Sequence, residues 1–277
     1  MSFQISGPML FFGGPYSNCE ALQAMHKVAE EKQIPADHCL CSGDVVAYCS
    51  DPGPCVDFIR DWGCQVVKGN CEESLGTEAQ DCGCGFEEGT SCDVLSQQWF
   101  AYANSHLNDD QRSWMRGLPA TVSLQYQSLN LLAVHGGIEQ TNKFVFASQE
   151  DIIADELALT NADIVLAGHC GIPFGKHISG KLWVNSGVIG MPANDGQAHT
   201  WYCLVQPQEN GLEFSFHKLD YDHKITAKKM QEKGLSSAYG DALISGLWPG
   251  LDVLPDKEKS ETGKNLDPAS LFMSFSR

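Results

Sequence analysis

The chain has 277 residues, 43% of them hydrophobic, enough for one large α/β domain with or without a modest appendage, and for a core that needs no cross-links. Its 18 Lys and Arg against 35 Asp and Glu leave a formal charge of −17, a field that repels phosphate backbones and anionic membranes, so neither nucleic acid nor a membrane is expected as a partner. No run approaches the roughly 20 apolar residues of a membrane-crossing helix, and the opening MSFQISGPML lacks a secretory signal's basic start and apolar stretch, so the expected location is cytoplasmic.

In chain order, Pro8 to Phe12 reads as a strand, Cys19 to Lys32 as a helix capped by Asn18, His38 to Cys41 as a strand, Cys55 to Trp62 as a helix and Cys64 to Lys68 as a strand. This βαβαβ order predicts a parallel sheet. Residues 71 to 92, CEESLGTEAQDCGCGFEEGTSC, are rich in Gly, Glu and Cys without periodicity and read as a loop. From Val94 to Arg116 the spacing of Leu95, Trp99, Tyr102, Leu107, Trp114 and Met115 predicts two short helices broken near Asn104 to Asn108, an inserted cap spanning about 93 to 117.

Strands are expected at Thr121 to Gln125, Leu129 to Val134, Asp163 to Ala167, Leu182 to Asn185, Thr200 to Val205 and Leu212 to Lys218, with a helix over Gln149 to Leu159. The main domain is drawn at residues 1 to 219, and residues 220 to 277 form a helical and extended appendage with a helix near Lys224 to Glu232. No internal repeat is present, which excludes a solenoid.

Twelve cysteines are many for a reducing compartment, and ten of them fall between Cys19 and Cys92. Cys39, Cys41 and Cys64 sit in or beside strand-like runs, where a thiol packs as a small hydrophobe. Cys71, Cys82, Cys84 and Cys92 could form a thiolate cluster for zinc or iron, but their spacing is permissive and unrelated loop thiols are the favoured reading.

Four groups able to bind metal follow strands directly: Asp44 in SGD, Asn70 in KGN, His135 in HGG and His169 in AGHCG. Sites in open α/β sheets are built at strand ends, and the flanking glycines let the backbone turn sharply and approach an ion. Capping and core-packing roles are the alternative for these four, and metal binding is preferred.

In these motifs the chain resembles the calcineurin-like metallophosphoesterases, above all the bacterial branch of small phosphodiesterases and diadenosine tetraphosphatase-like enzymes. The resemblance runs over about residues 9 to 205 and takes in VNSGVIGMPANDG, similar to the family's NPGSVGxPRDG. It implies an α/β fold of two sheets packed as a β sandwich flanked by helices, and a two-metal site bridged by Asp44. Asn70, His135 and His169 match the remaining ligands of one metal. At the other, Gly14 stands for the aspartate of DxH, Tyr16 for its histidine and Gly171 for the second histidine of GHxH. Cys71 replaces the family histidine beside the scissile phosphate and Ala193 an arginine of the PRDG-like segment, removing a cationic imidazole and a bidentate phosphate contact. Tyr16 fills volume where a ligand would stand and can meet a phosphate.

The reading is a divergent phosphoesterase hydrolysing a small phosphorylated molecule with one divalent transition metal, manganese, iron or zinc, and with Cys71 as candidate proton donor. Two alternatives stand beside it: a non-catalytic metal- or nucleotide-binding protein of the same fold, and a metal or redox site rebuilt from the cysteines.

Overall fold

The computed structural model describes residues 2–275. Its chain runs β1 (Ser2–Gln4), β2 (Met9–Phe12), α1 (Cys19–Glu31), β3 (Cys39–Cys41), α2 (Pro52–Trp62), β4 (Gln65–Val66), α3 (Asn70–Gly76), α4 (Ser91–Ser105), α5 (Asp109–Gly117), β5 (Val122–Tyr126), β6 (Leu129–Ala133), α6 (Glu150–Ala158), β7 (Ile164–Ala167), β8 (Pro173–Ile178), β9 (Lys181–Ser186), β10 (Thr200–Gln208), β11 (Gly211–Leu219), α7 (His223–Glu232), α8 (Ser237–Ser245), α9 (Asp256–Ser260) and β12 (Leu271–Ser274).

The strands form two six-stranded sheets, ordered β1-β5-β6-β7-β9-β8 and β12-β11-β10-β2-β3-β4. The expected β2-β3-β4 unit is parallel, but β10 and β11 join it antiparallel, so the sheet is mixed. Alternation along each strand explains the layering. In β2, Met9 and Phe11 point at the other sheet and share one core with its Leu131, Leu166 and Val184, whereas Leu10 and Phe12 point back at α1 and α2. On the outer face of the first sheet Val165 and Trp183 pack against Ile153 and Leu157 of α6. The result is the sandwich flanked by helices that the sequence implied. Cys39 and Cys41 are buried on the helix side, as small hydrophobes should be, and Cys64 is half-buried beside them.

The two cap helices break at residues 106 to 108, and Asn108 caps α5 by accepting from the Gln111 amide. The segment expected to be loop after Asn70 instead opens with α3. Its apolar positions are too few to show a period, and the helix is held by a carboxylate described below. The strands β8 and β12 and the helices α8 and α9 also had no clear sequence signal.

Residues 220 to 275 pack back on the body. Met230, Tyr239, Ala242 and Leu243 are buried in the helix-side core, Lys229 bridges Glu20 at 2.5 Å and Asp51 at 2.8 Å, and β12 extends the second sheet along β11. Among the described residues no helix is long and apolar enough to cross a membrane.

If this segment is integral to the core, Leu243→Ala should cost about 2–5 kcal/mol, as at any fully buried leucine. Urea denaturation checks this, and a loss under about 1 kcal/mol would make the segment peripheral.

Candidate metal centre

Four strand-end loops meet where the two sheets come together. Asp44 follows β3 and Asn70 opens the helix after β4, while His135 follows β6 and His169 follows β7. Each sheet therefore supplies two of the four. The loop glycines are forced by contact: a Cβ at Gly43 would lie 2.6 Å from the Gly69 nitrogen, and one at Gly69 would strike the Asp44 carboxylate. Asp44 itself has φ of 55°, a left-handed conformation that an aspartate tolerates better than most residues.

That conformation is held by Glu72, a fully buried side chain in the first turn of α3. Its carboxylate accepts from the backbone N–H groups of Asp44 (2.8 Å), Val45 (2.8 Å) and Gly69 (2.9 Å), tying the SGD and KGN loops together. Burial, and then the charge of Asp44, push its carboxyl up to about 7. Asp44 in turn accepts from the Cys71 N–H at 3.1 Å through Oδ1, which leaves Oδ2 facing inward.

His135 donates from Nδ1 to the Ser42 carbonyl at 2.6 Å, so the lone pair lies on Nε2. Around that atom stand His169 Nδ1 at 3.0 Å, Asn70 Oδ1 at 3.1 Å and Asp44 Oδ2 at 3.3 Å. Asn70 is oriented because its amide nitrogen donates to the Cys82 carbonyl at 3.0 Å. Burial works against charge on Asp44, but the adjoining His135 holds it below the usual carboxylate range. Burial and the neighbouring His135 push His169 down to about 3, keeping it neutral.

Two carbonyl-type oxygens and two imidazole nitrogens thus turn lone pairs toward one small buried volume. Leaving such groups face to face is costly unless a cation lies among them. Asp44, His135 and His169 place ligand atoms within 4.8 Å of one another, and the mixed O and N set suits manganese, iron or zinc. The residues fit an ion.

A family model described as the calcineurin-like phosphoesterase superfamily domain matches residues 19–210. The chain belongs to this superfamily. An uncharacterized protein of Methanocaldococcus jannaschii is 24% identical over 249 residues, covering 83% of this chain and 95% of its own length. Among solved structures, a hypothetical protein from Pyrococcus horikoshii OT3 superposes with a TM-score of 0.74 at 16% identity, over 90% of this chain and all of the other. A metallophosphoesterase from Sphaerobacter thermophilus does so with a TM-score of 0.68 at 19% identity, over 88% of this chain and all of the other.

Aromatic rings crowd the positions Gly14, Tyr16 and Gly171. A Cβ at Gly14 would stand 2.6 Å from the Tyr16 ring and 2.8 Å from the Asp44 carbonyl, so Tyr16 and a side chain at position 14 exclude one another. Tyr16 is buried with φ of 54° and packs edge-on against Tyr48, centroids 4.8 Å apart. Gly171 has φ of +73°, and its missing Cβ would sit 3.3 Å from the Trp248 ring. All three positions are hemmed in by aromatic rings. Ala193 is buried and lines a different cleft together with the C-terminal arm.

The cysteines separate. Cys82 and Cys84 are joined by a disulfide, and Cys71 and Cys84 sulfurs lie 3.6 and 3.5 Å from the Asn70 amide nitrogen. Cys92 stands apart, half-buried on the pocket wall near Asp252. Cys170 turns to the Asn185 amide at 3.1 Å. Sequence reasoning missed Glu72, although the acid of GNCE was in view, and it missed Phe144, whose ring stands 4.2 Å from that of His169. Trp248 and Tyr239 carried no signal at all.

Glu72→Ala should cost about 3 kcal/mol or more, because buried N–H groups from two loops lose their acceptor, whereas Glu72→Gln, which retains a carbonyl oxygen, should cost less. Denaturant titration of both variants decides it. Equal stabilities for Ala, Gln and wild type would remove the clamp.

Proposed function

We propose that the chain is a metal-dependent phosphoesterase that hydrolyses a small phosphate ester with a single divalent ion held by Asp44, Asn70, His135 and His169. The observation that carries this reading is the convergence of Asn70 Oδ1, Asp44 Oδ2 and His169 Nδ1 within 3.3 Å of the His135 lone pair. The ion supplies Lewis-acid polarisation of a phosphoryl oxygen and acidifies water. The protein's own contribution is to fix the ligands: Ser42 sets the His135 tautomer, Cys82 turns Asn70, and Glu72 holds Asp44.

In this reading the Gly14, Tyr16 and Gly171 positions supply no second set of ligands, and rings take up that space. Cys71 is the candidate proton donor, since burial, with Asp44 and Glu72 alongside, raises its thiol and keeps it protonated. Ten free thiols support a cytoplasmic setting, and the acidic chain favours a small substrate over a nucleic acid.

The same aromatic filling gives substance to a second reading, a non-catalytic protein that binds metal or a nucleotide through this site. Purified protein should carry one manganese, iron or zinc per chain by elemental analysis. Asp44→Asn and His135→Ala should lose the ion and cut hydrolysis of bis(p-nitrophenyl) phosphate by about a hundredfold or more. Two ions at saturation would sink the single-metal assignment, and a bound ion without turnover of phosphomonoesters or diesters would select the non-catalytic reading.

Chelation offers a second measurement. Removing the ion should lower the melting temperature by several degrees, about what the loss of a native-state ligand brings. An unchanged transition would mean that no ion had been held.

A further inference from the structure

A pocket with about 760 Å³ of empty space, its open mouth included, has Asp44 and His169 in its wall. It is assembled from distant parts of the chain: Tyr16 and Tyr48 from the loops after β2 and β3, Leu95 from α4, Phe144 from the loop before α6, and Tyr239 and Trp248 from the C-terminal segment. Neither a lysine nor an arginine lines it. Sites that accept several phosphate groups meet them with cations, above all arginine forks. Here a second phosphate would stand near the Asp44 carboxylate with nothing positive to receive it, in a chain whose formal charge is already −17.

The rings offer something else. Tyr48 packs against Tyr16 at 4.8 Å, Tyr239 at 4.6 Å and Trp99 at 5.2 Å, a continuous aromatic wall. Such walls receive an apolar or aromatic group by stacking and edge contacts. Trp248, which also lines the pocket, is fixed by its indole N–H donating to the Pro192 carbonyl at 2.7 Å and its backbone N–H to Asn194 Oδ1 at 2.9 Å. That ring is therefore anchored.

Resting on the metallophosphoesterase reading above, we infer that this pocket selects a phosphate ester with a single phosphate, whose organic group is apolar or aromatic and carries no further charge. Trp248 and Leu95 are the specificity-determining residues. They take no part in holding the ion.

The test uses manganese-loaded full-length protein and three probes that are not phosphate esters: methylphosphonate, phenylphosphonate and pyrophosphate, titrated by calorimetry. Phenylphosphonate should bind about tenfold or more tighter than methylphosphonate, the gain expected from burying a ring, and pyrophosphate no tighter than methylphosphonate. Trp248→Ala should erase the phenyl advantage with the metal count and methylphosphonate affinity unchanged, and Trp248→Phe should keep most of it. Leu95→Lys supplies the missing cation and should raise pyrophosphate affinity about tenfold while weakening phenylphosphonate.

Equal binding of the two phosphonates by metal-loaded wild type, or pyrophosphate binding tightest, overturns this inference alone. Protein that takes up no metal overturns the reading of the preceding section and this one with it.

Discussion

One buried carboxylate holds the centre of this molecule together. Glu72 satisfies N–H groups from two loops that no backbone acceptor reaches, and in doing so it stabilises a left-handed Asp44 and presses Gly69 against it. A carboxyl with no exposed surface is expensive to bury, and its elevated pKa records that cost. The cost is offset because the alternative is a set of unpaired amides in the same place. The geometry of Asn70, of Cys71 and of the first turn of α3 follows from this contact.

A second constraint comes from the division of labour between sheets. Asp44 and Asn70 belong to one and His135 and His169 to the other, so the ligand atoms close on one another only when the inter-sheet core of Phe11, Leu166, Val184 and Phe214 is packed. The hydrogen bond from His135 to Ser42 crosses the same divide. Packing on the apolar side and convergence on the polar side are two views of one docking event.

The parts of this arrangement that the sequence disclosed share a cause. Asp44, Asn70, His135 and His169 stood out because each is flanked by a glycine at the end of a strand, and the contacts around Gly43 and Gly69 account for two of those glycines. Strands such as β2 and β7 were visible because they are buried on both faces and read as unbroken apolar runs. What stayed hidden depends on distant partners. The helix α3 follows from a tertiary contact of Glu72, β8 pairs along an edge with Lys176 and His177 in the run, and Trp248 meets Gly171 across 77 residues of chain, taken from 248 and 171. The cap helices were legible from aromatic spacing alone, though their role in the pocket wall through Leu95 was not.

The joining of Trp248 and Tyr239 to a site whose convergent Asp44, His135 and His169 all precede position 170 separates two kinds of information along the chain. The convergent polar side chains are written in the first two thirds, and the last third adds Tyr239 and Trp248 to an opening that Tyr16, Tyr48, Leu95 and Phe144 already border. Drift in the C-terminal segment can therefore change what enters while the electrostatics of the centre stay fixed.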